Sequence, residues 1–229
     1  LYWADRLGYL TWGEYPNWGL ALDSCDYIDC MLPEWLEELE RDASHPSIIG
    51  WCPFNETWNY RHNSVVKLVY LATKAADPTR PVIDTSGNYH TITDIFDVHD
   101  YEQDPEKFAS CYTDIKSGII RDQIYRSEGE SAQKPNGEPV FMSEYGGIRW
   151  SDSDGWGYGK GPETKEEFLD RYKKHTEAML FNEDIMAFCY TQLYDVEQEQ
   201  NGLMTYDRKF KFEPEIIKAI NSQKAAIEQ

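Results

Sequence analysis

Along the chain, apolar residues come either in short unbroken runs or in longer stretches where they recur every three or four positions. The unbroken runs read as buried strands and the spaced ones as amphipathic helices. LYWADRLGYLT at the start predicts a short helix end and a strand over 7–11, with Glu14 at the strand exit. PEWLEELERDA (33–43) predicts a helix with proline in its first turn and an apolar stripe of Trp35, Leu36 and Leu39. His45-Pro46-Ser47 then marks a turn, because a residue before proline is pushed toward extended conformations. The apolar segment 48–54 behind it predicts a strand buried on both faces.

Beyond this strand, Ser64 predicts a helix cap, followed by Val65, Val66, Leu68, Val69 and Ala72 at helical spacing, with Asp77-Pro78 as the stop. PVIDT (81–85) and IFDVHD (95–100) predict two strands with too little chain between them for a full helix. A helix over 104–115, a polar surface loop over 126–138 and a strand over 140–143 follow. Thr164 and Glu167 form a capping-box pattern for a helix carrying Phe168, Leu169, Tyr172 and Met179. MAFCYTQ (186–192) predicts the last strand. The final helix has Pro214 near its start and Ile216, Ile217 and Ile220 on its buried face. Strand and helix alternating throughout imply an α/β protein with a parallel sheet.

The chemistry concentrates where strands end. Segment 45–58, HPSIIGWCPFNETW, leads to Glu56, and PVFMSEYGG (139–147) leads to Glu144. A carboxylate at the exit of a buried strand is costly unless something pairs or uses it, and in α/β barrels the carboxyl ends of the strands carry the chemistry. Two carboxylates from two strand ends make the pair that glycoside hydrolysis requires. Glu14 is either a third carboxylate of this kind or a rim residue paired with an arginine.

These two stretches resemble the two active-site signatures of glycoside hydrolase family 2, the group of β-galactosidases, β-glucuronidases and β-mannosidases. The resemblance implies a (β/α)8 TIM barrel, with residues 1–229 forming one catalytic domain that holds roughly strands three to eight. It implies that the first two strands and the β-sandwich domains lie upstream in the same protein. It carries the acid/base role to Glu56 and the nucleophile role to Glu144, in a retaining exo-β-glycosidase. Asn55 resembles the asparagine that hydrogen-bonds the sugar 2-hydroxyl, and Tyr101 the tyrosine that donates to the nucleophile. Burial of Glu56 among Trp51, Phe54 and Trp58 would raise its pKa, as a general acid needs, whereas Glu144 needs hydrogen bonds that keep it ionised. Glucuronidases of the family carry Asn-x-Lys after the eighth strand. Here the run is Glu199-Gln200-Asn201-Gly202, and an acidic loop without lysine suits a neutral sugar such as galactose.

Composition narrows the remaining choices. A net charge of −19 disfavours nucleic acid and anionic membranes as partners. The 16 Tyr, 9 Phe and 8 Trp serve either a large core or sugar stacking. In the Gly- and Trp-rich segment 150–161, Trp150 is a candidate stacking residue and a lid-like loop is the other reading. His99 either touches substrate or packs. Asp97, His99 and Asp100 invite a metal, but barrel metal sites draw several histidines and the 5 here are widely spread. No metal or cofactor is therefore expected. The 5 cysteines are scattered, odd in number and lack C-x-x-C, which fits a reducing compartment and a cytoplasmic protein. No run is long enough to span a bilayer. The chain starts at Leu1 inside what reads as a structured segment. Expected partners are a β-glycoside substrate, the upstream domains and, in a homo-oligomer, further copies. The rival readings are a barrel fragment that binds carbohydrate or serves structure without catalysis, and a β-glucuronidase or β-mannosidase of the same family.

Overall fold

The structure, a computed structural model, describes residues 1–17, 22, 24–57, 63–87, 89–120, 133–151 and 154–229. Two compact units emerge: within the described residues, one holds 1–97 and 133–138, and the other holds 98–120 and 139–229. Trp58 and much of the predicted 126–138 loop lie outside the described residues.

The first unit opens with helix α1 (Tyr2–Leu7), where a strand over 7–11 was expected to begin. Gly8, at φ 70°, caps the helix in the left-handed conformation, and Tyr9 N–H returns to the Ala4 carbonyl. The strand starts only after this cap, as β1 (Thr11–Glu14). It pairs in parallel with β2 (Ile48–Cys52). Between them runs α2 (Cys25–Asp42), longer than predicted, with Pro33 in its interior and not in its first turn. A helix-interior proline costs about 3 kcal/mol. Apolar residues ahead of it offset that cost: Met31 is fully buried with Trp35 and Leu39, while Tyr27, Ile28 and Leu32 pack against the same core.

Helix α3 (Asn63–Ala76) already contains Ser64, so this serine lies inside the first turn and not at the cap. The helix ends before Asp77-Pro78, as expected. Between α2, α3 and the sheet, Trp35 donates to Thr73 Oγ1 (2.8 Å) and Trp51 to Asp77 Oδ2 (2.8 Å), their rings edge to face at 5.9 Å. Burial pushes the Asp77 carboxyl up, but the donors Thr79, Trp51 and Arg80 outweigh it and hold the group below the usual range. Cys52, the last residue of β2, is fully buried, and its thiol donates to the Phe54 carbonyl (3.1 Å).

The predicted strand over 81–85 forms no ladder: among the described residues it meets β2 in one isolated parallel bridge, Trp51 with Val82, and a second bridge joins Asn55 to Ser86 just beyond both. The cause is local: Pro81 has no N–H, and Asp84 takes the Thr85 N–H onto its side chain (2.9 Å), away from a ladder.

The second unit, which takes up β3 (Phe96–Asp100) from Val98 onward, is organised by a sheet in the order β3, β4 (Val140–Gly146), β5 (Ile185–Thr191), with β4 and β5 parallel. Its helices are α4 (Pro105–Cys111), α5 (Lys165–Leu180) and α6 (Pro214–Asn221). Asp104 caps the start of α4 by accepting from the Glu106 and Lys107 N–H groups. At its far end the helix stops at Cys111, short of the predicted 115, and a 3-10 turn (Ile115–Ser117) follows. Thr164 caps α5 by accepting from Glu167 N–H, whereas the Glu167 side chain turns to the Glu163 N–H. Phe168, Tyr172, Phe212 and Ile220 form the core beneath α5 and α6. Ile216, expected on the buried face of α6, is instead exposed. No described helix is long and apolar enough to cross a membrane.

Candidate active site

In the first unit, β2 delivers the segment 53–57, and the bridged neighbour 82–86 holds it. Ser86 N–H donates to the Phe54 carbonyl and Glu56 N–H to the Ser86 carbonyl, each at 2.7 Å. Glu56 has φ 47°, a left-handed conformation that a non-glycine residue adopts only at a cost. Its neighbours are pinned too. Asn55 N–H donates to Asn17 Oδ1 (2.6 Å), and the Thr57 hydroxyl donates to Thr85 Oγ1 (3.0 Å). Asn55 Oδ1 is buried without a hydrogen-bond partner among the described residues. Trp51 and Phe54 are buried, as the sequence implied. The exposed carboxylate of Glu14 accepts from Trp12 Nε1 (3.3 Å).

In the second unit, β4 delivers Glu144 and β3 leads to His99, Asp100 and Tyr101. The Tyr101 hydroxyl donates to Glu144 Oε2, and His99 Nδ1 lies 3.6 Å from the same oxygen. His99 is fully buried, while Glu144 keeps about a quarter of its side chain exposed (27%). Burial, then the Glu144 charge and Tyr158, push the Tyr101 phenol well above its ordinary value, so it stays protonated and able to donate. Asp100 points elsewhere: it accepts from the Tyr112 hydroxyl (2.7 Å) and Glu102 N–H (2.8 Å). Burial raises its pKa against those donors.

A residue not foreseen from sequence completes this group. Tyr158 stacks on Tyr101, ring centroids 3.5 Å apart and planes within 3°. The contact depends on Gly147, at φ 54°: a Cβ there would run into the Tyr158 ring and stand 2.9 Å from that of Tyr101. Gly146, at φ 84°, gives equal room to Tyr190, whose ring would be 2.5 Å from an added Cβ. The glycine pair after Glu144 was the available signal. Its chemistry reads as strand termination until the rings that pack on it are seen.

Trp150 is not part of this cluster. Its ring packs against Phe212 (6.5 Å between centroids), and its carbonyl accepts from Lys211 Nζ (2.7 Å). Lys211 is itself buried and paired with Asp195 at 2.6 Å. The loop after β5 follows the sequence expectation of an acidic run, with Glu199 Oε1 accepting from the Asn201 amide (3.0 Å).

Comparison with known proteins adds a family. The family model described as glycosyl hydrolases family 2, TIM barrel domain, matches residues 10–223. A β-glucuronidase of Bacteroides fragilis is 27% identical over 183 residues, which is 76% of this chain and 19% of that protein. A β-galactosidase of Psychromonas ingrahamii is 35% identical over 96 residues, 42% of this chain and 9% of that protein. Among solved structures, a β-glucuronidase of an uncultured Clostridium sp. aligns with a TM-score of 0.70 at 18% identity, over 97% of this chain and 41% of that one. At that identity the likeness speaks for the fold alone. The chain spans less than a quarter of the length of either sequence relative.

Proposed function

The chain belongs to glycosyl hydrolase family 2, matching that family's TIM-barrel domain over residues 10–223, and from this premise we propose that its protein hydrolyses terminal β-linked sugars with retention of configuration. The observation that carries the reading is the Tyr101–Glu144 pair: a neutral, buried phenol donating to a carboxylate held within β4 stabilises its charged form. Glu144 acts as nucleophile and forms a bond to the anomeric carbon as the glycosidic bond breaks. Glu56 gives its proton to the leaving oxygen. Water then attacks the glycosyl-enzyme, with Glu56 taking the proton, and Glu144 is released. No cofactor enters this scheme. The unpartnered Asn55 Oδ1 is suited to accept from a sugar hydroxyl. In this reading β1 and β2 are the third and fourth barrel strands, 82–86 the fifth, and β3, β4 and β5 the sixth to eighth.

Two sugars are in play. The acidic loop 199–202 favours a neutral galactoside, because a carboxylate ligand would meet like charge. The name of the Bacteroides relative favours a glucuronide. Competition between aryl β-D-galactoside and aryl β-D-glucuronide on the full-length protein decides between them.

Paired variants test the roles. In the full-length enzyme Glu144→Ala should lose turnover on all substrates. Glu56→Ala should lose it on poor leaving groups while sparing good ones, which need little protonation. Equal responses of the two variants to leaving-group quality would overturn the assignment.

A further inference from the structure

The first unit buries a charge cluster that the scheme above does not use. His90 Nδ1 lies 2.7 Å from Asp84 Oδ1, and its Nε2 lies 2.9 Å from the Asp97 carbonyl and 3.1 Å from Asp97 Oδ1. All three side chains are fully buried. Burial works against a charged imidazole, but the two carboxylates outweigh it and raise the His90 pKa well above its ordinary value. Desolvating such ions is costly unless geometry and hydrogen bonds compensate. Compensation is extensive here. Asp84 also accepts the Thr91 and Ile92 N–H groups at 2.7 and 2.9 Å, which folds the connection after 82–86 around the imidazole.

The other face of the cluster reaches toward Glu56. Asp97 Oδ2 accepts from Gly87 N–H (2.9 Å) and the Ser86 hydroxyl (3.2 Å). The Ser86 carbonyl, in turn, accepts the Glu56 N–H. The contacts thus run from His90 through Asp97 and Ser86 to the one backbone position of the 53–57 segment that is left-handed. That conformation is strained for a non-glycine residue and persists only where the surroundings over-determine it.

We infer that His90 and Asp97 are positioning residues for Glu56, fixing through Ser86 the backbone turn from which its carboxyl is presented. The inference rests on Glu56 being the acid/base. A structural role alone would lower all activities together with the folded fraction. A positioning role lowers selectively those reactions that need the proton.

The test uses the full-length enzyme and measures kcat/KM on aryl and alkyl glycosides of graded leaving-group acidity, with melting temperature alongside. Asp97→Asn is expected to lose about tenfold or more on an alkyl glycoside and less than about twofold on a dinitrophenyl glycoside. Ser86→Ala, which removes one hydroxyl and should leave folding intact, is expected to shift selectivity the same way and by less. Glu56→Gln sets the limiting pattern. Uniform loss across leaving groups in both variants, or wild-type selectivity in both, overturns the positioning role. If Glu56→Gln itself shows no leaving-group bias, the acid/base assignment fails, and the inference falls with it.

Discussion

The hydroxyl of Tyr101 offers the sharpest residue-scale consequence. It donates to Glu144, and a hydrogen bond to a charged group contributes about 1.5–3 kcal/mol. Tyr101→Phe in the full-length enzyme should therefore cost about 10- to 100-fold in kcat/KM. Losing a donor to the ionised form raises a carboxyl pKa, so the acidic limb of the pH profile should move to higher pH. An unmoved limb would show that the phenol does not govern the Glu144 charge. A second residue bears on stability. Hydrogen bonds from Ser47 and His45 lower the Asp5 pKa to about 2. Since this folded value lies below the unfolded one of about 3.9, the stabilisation is present above pH 4 and is lost as pH falls from about 4 to about 2. Asp5→Asn should flatten that part of an acid-unfolding curve while the depressed Asp77 and Asp94 preserve the rest.

At the scale of elements, the glycine pair that ends β4 controls how closely the Tyr101–Tyr158 stack approaches. Gly147→Ala must hold an L-residue in the left-handed region, at about 1–2 kcal/mol, and must also displace one ring. A fall of several degrees in melting temperature is expected, with activity lost beyond the folded fraction; unchanged melting would mean that the stack yields freely. The same scale shows what the sequence could reveal. Strands were legible because Ile48, Trp51 and Val140 sit in unbroken apolar runs, but burial on both faces was not: Ile49, in the same run as Ile48, is exposed. The two carboxylates were legible too, because Asn55-Glu56 and Ser143-Glu144 break those runs. The early half of α2 was hidden by Pro33, whose local cost is overridden by packing around Met31. Gly8 delayed β1 through a cap geometry that no periodicity encodes. Tyr158 and the His90 cluster were illegible for another reason: their partners are close in space but set by turns, and one-residue shifts in a turn redirect a side chain.

Across the whole molecule, the sheets present open edges. Among the described residues β1 pairs only with β2, and β5 only with β4. Unpaired edges template association, and Trp3, Leu7, Tyr9 and Leu10 are exposed beside β1. The net charge of −19 opposes association by repulsion. Residues 1–229 expressed alone should therefore self-associate, more strongly as salt screens the repulsion, and should not cleave aryl glycosides. Light scattering across a salt series checks this. A monodisperse monomer with measurable hydrolysis would show that the edges need no partner.

Cys52 carries a consequence for kinetics. Its thiol is shut inside the core, and burial first, then the charges of Glu14, Asp97 and Asp84, hold it in the protonated form. Only a thiolate reacts with alkylating reagents, so in the closed protein Cys52 is silent while the exposed Cys30 and Cys189 are modified early. Its slow labelling then acts as a clock, each event recording one opening of the strand that leads to Glu56.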